Sequence, residues 1–183
     1  MEGLAKIVNI KASMNFGTLP DIVLSLFPTV EPVKRPKRTN VEIKDPNWVI
    51  GFVEGEGMFF VNIYKRKDSV LGVGVKLVFK ITQDRRNREL LEKFMSFFTA
   101  GKVYQQSPSV KVLDFMISGL ADLTRYVIPF FLVHPLEGAK KKDYEDFSRV
   151  AELMKSKAHL NKEGLEQIRL IKSGMNSKRD SSS

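Results

Sequence analysis

The chain has 183 residues, enough for one domain of ordinary size with some tail, and carries 30 Lys and Arg against 21 Asp and Glu for a net charge of +9. A surplus of that size predicts a polyanionic partner, nucleic acid before membrane. The lack of cysteine excludes disulfide scaffolds, zinc fingers and thiolate chemistry, His134 and His159 are too few and too far apart for a His-built metal site, and no apolar run reaches membrane-spanning length.

The chain opens on one copy of an internally repeated segment. Residues 3–15 and 164–176 share seven of thirteen positions: Gly3/Gly164, Leu4/Leu165, Ile7/Ile168, Ile10/Ile171, Lys11/Lys172, Met14/Met175 and Asn15/Asn176. The repeated piece ends a unit rather than starting one. The expected organisation is therefore a terminal helix of a preceding repeat (1–15), a connector (16–46), one complete repeat (47–176) and a flexible tail (177–183). Residues 19–27 of the connector predict a short helix. Pro28, Pro32 and Pro36 then punctuate an extended stretch containing Lys34-Arg35-Pro36-Lys37-Arg38, which reads as a localisation signal, a phosphate-binding arm or a solvated linker.

From residue 47 the pattern is regular. Asp45-Pro46 precedes an apolar segment of helical length, Asn47 to Val53. Residues 58–66 alternate, with Phe59, Val61 and Ile63 on one face and Met58, Phe60, Asn62, Tyr64 and Arg66 on the other. Residues 72–82 alternate more cleanly, with Val73, Val75, Leu77, Phe79 and Ile81 opposite Gly74, Lys76, Val78, Lys80 and Thr82. An amphipathic helix over 87–99 carries Leu90, Leu91, Phe94, Phe97 and Phe98, and two short strands follow near 102–106 and 110–118. Helices are predicted over Leu120–Phe131, Asp143–Lys155 and Asn161–Met175. The fold class is α+β, in the order α-β-β-α-β-β-α-α.

A four-stranded antiparallel sheet with helices on one side leaves its other face in water. That face is expected to carry Met58, Phe60, Asn62, Tyr64, Arg66, Gly74, Lys76, Val78, Lys80, Thr82, Lys102, Tyr104, Gln106, Val112, Asp114, Met116 and Ser118. Cations, amides and aromatics dominate it, the groups that read base edges and phosphates from a β-ribbon in the major groove.

Residues 49–57 (Val-Ile-Gly-Phe-Val-Glu-Gly-Glu-Gly) place three glycines in or at the end of a short helix. Two interior glycines cost about 2 kcal/mol against alanine. Gly51 and Gly55 lie on one face, so close approach of a second helix compensates. Glu54 and Glu56 stand at the C-terminal end, where the macrodipole disfavours anions, so an acid there has a cation to serve.

This segment resembles the LAGLIDADG motif of homing endonucleases, with small residues at the third, seventh and ninth positions (Gly51, Gly55, Gly57) and acids at the sixth and eighth (Glu54, Glu56). The likeness extends to Trp48, to Gly57-Met58-Phe59-Phe60-Val61, to Phe79-Lys80-Ile81-Thr82-Gln83 and to Leu160 through Asn176. It covers about residues 45–176, with 1–33 resembling the end of a preceding repeat. The resemblance implies a double-strand DNA endonuclease that hydrolyses phosphodiester bonds with Mg²⁺, for which Mn²⁺ or Ca²⁺ can substitute. It implies that Glu56 binds metal by its side chain and Gly55 by its carbonyl, that Gln83 orients water in the pocket, and that Lys140 steadies charge developing on phosphate, with Lys141 and Lys142 as alternatives. It further implies that Trp48, Gly51, Phe52 and Gly55 pack the motif helix against its partner, and that Val49 joins Trp48 and Phe52 in an apolar face needing cover.

One motif is present where a self-contained nuclease needs two, so the partner is a second copy of the chain or a complementary N-terminal half. An RNA-binding intron maturase and a catalytically inactive DNA-binding half are the alternatives on the same scaffold. The family implies an organellar (mitochondrial) origin, with no membrane partner.

Overall fold

The computed structural model describes residues 2–14, 19–33, 42–105, 107 and 109–176. Asn15, the basic run 34–38, Gln106 and the tail 177–183 lie outside the described residues. The chain divides into two compact units, Met1–Val41 and Glu42–Ser183.

The first unit holds α1 (Glu2–Ser13) and α2 (Asp21–Leu26). The connector folds back on α1: Ser13 Oγ donates to the Val33 carbonyl at 2.8 Å, and Asn9 Oδ1 accepts from Glu31 N at 3.1 Å. Only Val8 and Ala12 of α1 are buried.

In the second unit, α3 (Pro46–Glu56) runs directly into β1 (Gly57–Lys65), followed by β2 (Val73–Asp84), a 3₁₀ turn, α4 (Arg88–Phe98), β3 (Lys102–Gln105) and β4 (Val112–Ile117). A composite helical segment comes next: α5 (Leu120–Asp122), a π turn over Leu123–Val127 and α6 (Ile128–Val133). Then α7 (Lys140–Lys155), a second 3₁₀ turn and α8 (Lys162–Ser173) close the unit. The four strands are antiparallel in the order β1-β2-β4-β3.

Local chemistry sets the ends of α3. The Asp45 side chain accepts from Asn47 N at 2.9 Å and Pro46 occupies the first helical position, where its missing N–H costs nothing. Alternation sets the sheet. The odd-numbered row Phe59, Val61, Val75, Leu77, Phe79, Ile81, Leu113, Phe115 and Ile117 is buried beneath Leu91, Phe94, Phe98, Phe131, Phe147 and Ile168. Phe59 centres an aromatic cluster, with ring centroids 5.2 Å from Phe79, 5.4 Å from Phe131 and 5.3 Å from Phe147. Such pairs contribute about 0.5–1.5 kcal/mol each beyond burial.

The structure corrects three expectations. Val49 is fully buried in the core rather than part of an exposed face. The helix expected over 120–131 extends to Val133 and contains the π turn, because Pro129 has no N–H for the Arg125 carbonyl four residues back. The strand expected over 110–118 is shorter at both ends, so Ser118 lies just past β4. No helix among the described residues is long and apolar enough to cross a membrane.

Candidate active site and nucleic-acid interface

The C-terminal end of α3 gathers the chemistry. Gly57 N donates to the Val53 carbonyl, and a Cβ on Gly57 would stand 2.8 Å from that same oxygen. Glycine therefore lets the helix pass into β1 without a loop, and the acids of its last turn arrive at the end of the sheet.

Glu54 and Glu56 have opposite surroundings. The carboxylate oxygen Oε1 of Glu54 accepts from the backbone N–H groups of Glu137 and Gly138, at 2.8 Å each. The Glu54 carbonyl accepts from Lys140 Nζ at 2.7 Å. A cation at the negative end of a helix satisfies a carbonyl that the helix itself leaves open. Lys141 and Lys142 are exposed, so of the three candidate lysines it is Lys140 that reaches the motif helix. Glu56 is exposed and engages no hydrogen bond or ion pair among the described residues.

Gln83 lies on the core-facing parity of β2, near its end. Its Oε1 accepts from Asn87 Nδ2 at 2.9 Å, and its own amide nitrogen has no partner among the described residues. Gly57, which follows Glu56, pairs with Ile81, two residues before Gln83. Glu56, Gln83 and Lys140 thus belong to one end of the sheet.

No group of three His, Asp or Glu side chains is gathered among the described residues. At this end of the sheet, of the two motif acids only Glu56 has a carboxylate left uncommitted among the described residues, beside helix-end carbonyls such as that of Gly55. This hard-oxygen set, poor in carboxylates, fits Mg²⁺, which takes one or two carboxylates and completes its shell with water and phosphate oxygens.

The outward face of α3 is open. A Cβ built on Gly51 or on Gly55 meets nothing within 4 Å. Trp48 and Phe52 stack on each other (5.1 Å); Trp48 also stacks on Phe94 of α4 (5.8 Å), and the Phe52 ring meets Phe94 tilted at 5.2 Å. Trp48 keeps 43% of its surface exposed beside the glycines, while Phe52 is half-buried.

Across the outer sheet face, register aligns Met58 with Lys80, Lys80 with Met116 and Met116 with Lys102. A second row runs Thr82, Asp114, Tyr104, and Asn62 faces Lys76. Met58, Phe60, Tyr64, Lys76, Lys102 and Tyr104 are exposed, and Asn62, Val78, Lys80, Thr82, Val112 and Met116 are half-buried. Gly74 departs from expectation in being buried against the Tyr64 ring. Asp114 departs further: it is 3% exposed and accepts from Thr82 Oγ1 at 2.5 Å. Met58, Phe60, Val78, Lys80, Asp114 and Met116 line a shallow depression on this face.

Arg66 lies past the end of β1. Its guanidinium is forked onto Asp68, Nη2 to Oδ2 at 2.9 Å, and that hydrogen bond holds the Asp68 carboxyl below its ordinary range. Both groups are exposed, so the pair is worth little to stability.

A helix adds one further cation to this face, which the alternation of the strands cannot show. Lys172 Nζ of α8 stands 5.7 Å over the ring of Phe60. Its signal was the repeat, which keeps lysine at Lys11 and Lys172.

Comparison with known proteins agrees with this geometry. The profile of the LAGLIDADG endonuclease family matches residues 49–151. The chain is 40% identical over 177 residues to "Probable intron-encoded endonuclease 3" of Neurospora crassa, covering 93% of this chain and 32% of that protein. It superposes on the I-LtrWI LAGLIDADG homing endonuclease bound to target DNA with a TM-score of 0.89 and 42% identity, covering 98% of this chain and 59% of the other. I-SmaMI bound to an uncleaved DNA target in the presence of calcium ions superposes with a TM-score of 0.89 and 37% identity, over 96% of this chain and 59% of that one. The chain therefore spans about a third of the curated relative and about three fifths of the solved ones.

Proposed function

Because the chain belongs to the LAGLIDADG endonuclease family, we propose that it supplies one half of a site-specific double-strand DNA endonuclease that hydrolyses phosphodiester bonds with a divalent ion. The observation that carries this reading is the contrast at the end of α3. An uncommitted, exposed Glu56 stands two residues from a Glu54 already engaged by backbone and loop.

Glu56 and the Gly55 carbonyl would hold the ion, Mg²⁺ by its taste for hard oxygen. When bound, the ion supplies charge that stabilises the attacking and leaving oxygens of the scissile phosphate. Lys140 presents an ammonium where negative charge develops on that phosphate. The amide nitrogen of Gln83, its oxygen already used by Asn87, donates to a water. The outer sheet face lies along the duplex. Lys76 and Lys102 meet phosphates or guanine edges, Asn62 an adenine edge, and Met58, Phe60 and Met116 thymine methyls.

A duplex has two backbones, and one chain brings one such acid to the end of one motif helix. The open Gly51/Gly55 face takes the equivalent helix of a second repeat, from a complementary N-terminal half or a second copy. Two observations favour a preceding repeat. The solved relatives are longer than this chain, and the repeated residues Leu4 and Ile7 of α1, with Met14 just after it, are exposed where their counterparts Leu165 and Ile168 of α8, with Met175 just after it, are buried. The intron-encoded relative from Neurospora crassa supports an organellar, intron-borne gene.

The test is cleavage of a supercoiled plasmid library carrying randomised inserts, by the chain alone and joined to a preceding LAGLIDADG repeat, with sedimentation of both. Mg²⁺-dependent cutting is expected from the paired form. Glu56→Gln should abolish it while duplex binding in Ca²⁺ persists. Cutting by Glu56→Gln at the wild-type rate, or none by either wild-type form, overturns the reading.

A further inference from the structure

Glu54 is the better bonded of the two motif acids, yet the proposed reaction leaves it without a task. Its contacts reach 83 to 86 residues along the chain, to the segment that leads into α7. The start of α7 is not fixed by its own sequence: the N-cap is Ala139, which has no side chain able to cap, and it makes no side-chain capping bond. What holds this segment comes from α3. One carboxylate oxygen takes two consecutive N–H groups, and the first residue of α7, Lys140, returns its ammonium to the Glu54 carbonyl. Gly138 makes the approach possible, since a Cβ there would stand 2.6 Å from Glu54 Oε2.

We infer that Glu54 is a positioning residue, which ties residues 137–140 to the end of the motif helix and thereby fixes where the Lys140 ammonium stands relative to Glu56. A lysine ammonium on a flexible four-carbon stem places charge accurately only if its backbone is placed. Displacement of a catalytic group by about an ångström costs as much as 10²-fold in rate. The consequence for rate rests on the nuclease reading; the anchor itself does not.

Two measurements separate these. Amide hydrogen exchange by NMR should show Glu137 and Gly138 protected in the wild type, opened in Glu54→Ala, and largely restored in Glu54→Gln, which keeps an acceptor oxygen. Single-turnover nicking of supercoiled plasmid in Mg²⁺ should fall in Glu54→Ala by about 10- to 10²-fold, with duplex affinity in Ca²⁺ unchanged. Glu54→Ala combined with Lys140→Ala should be no slower than Lys140→Ala alone, because both act through one ammonium. Gly138→Ala approaches from the loop side and should reproduce Glu54→Ala if the latter folds poorly. Equal protection of both amides in Glu54→Ala overturns the inference, as do rate losses that multiply in the double variant. A wild type that never nicks, alone or joined to a preceding repeat, would sink the nuclease reading, and the exchange result would then decide the anchor by itself.

Discussion

Lys80 and Asp114 meet diagonally across β2 and β4, Nζ 3.8 Å from Oδ1, on the sheet face turned away from the core. The carboxylate is nearly covered, its side chain 4% exposed against 27% for the lysine, and it also accepts from Thr82. A carboxylate beneath a basic surface takes one cation out of the pool available to phosphate. Asp114→Asn keeps an acceptor for Thr82 and releases Lys80. Affinity for a mixed-sequence duplex should rise, and the slope of log affinity against log salt should steepen by about 0.9, the contribution of one further neutralised phosphate. Fluorescence anisotropy over a salt series measures both. An unchanged slope would show that Lys80 already reaches the DNA or never does.

Lys172 makes the complementary case. Its ammonium rests over the Phe60 ring at 5.7 Å, and it is the only one of the seven repeated residues of α8 and its flanks with a charge. Leu165, Ile168 and Met175 are explained by burial, and Asn176 by its bond to the Phe59 carbonyl at 3.3 Å. Lys172→Ala should flatten the salt slope by about 0.9 and Lys172→Arg should restore it. The melting temperature should hardly move, because an exposed cation–π contact is worth about 0.5–1 kcal/mol at most. An unaltered slope with a lowered melting temperature would assign Lys172 to the fold instead.

Tyr144 should give the second unit a pH dependence of stability. Its ring packs against Phe59, and its hydroxyl donates to the Ile128 carbonyl at 2.8 Å. Burial raises its pKa above the ordinary 10.0, since the phenolate would lose its water, and the Ser148 side chain only partly opposes this. A raised pKa in the folded state means a contribution that is fully present below the unfolded value and is lost as pH rises through the folded one. Urea midpoints should therefore fall more steeply for the wild type than for Tyr144→Phe once pH exceeds about 10. At neutral pH the phenylalanine variant should be less stable by about 1 kcal/mol, the usual worth of the lost hydrogen bond. Parallel decline of both proteins would exclude Tyr144 as the titrating group.

The sheet was legible because one face is buried, so side-chain parity alone sorts Phe59 and Leu77 from Phe60 and Lys76. The motif helix was legible because Asp45-Pro46 and Gly57 mark its ends with specific chemistry. Parity fails where neighbours close over a residue: it places Asp114 on the outer face correctly but cannot show Lys80 and Thr82 engaging it there. It also says nothing of contacts between elements distant in the chain. That Glu54 would bond residues 137 and 138, that Trp48 and Phe52 would pack against the Phe94 ring, and that β4 rather than β3 would adjoin β2 are tertiary choices with no local signature.

Gly51 separates what the single chain needs from what an assembly needs. Within the chain a Cβ at this position has open space around it, so intrachain packing does not account for glycine there. Replacement by alanine should stabilise the isolated chain by up to about 1 kcal/mol, the helix-propensity difference. A partner helix approaching over Gly51 and Gly55 reverses the sign, because every added carbon holds the backbones apart. Gly51→Leu should therefore leave thermal stability of the unpaired chain intact while abolishing association in sedimentation and, with it, plasmid cleavage. Association that survives Gly51→Leu unweakened would place the partner on another surface, and a variant that fails to fold alone would mean the glycine serves the chain itself.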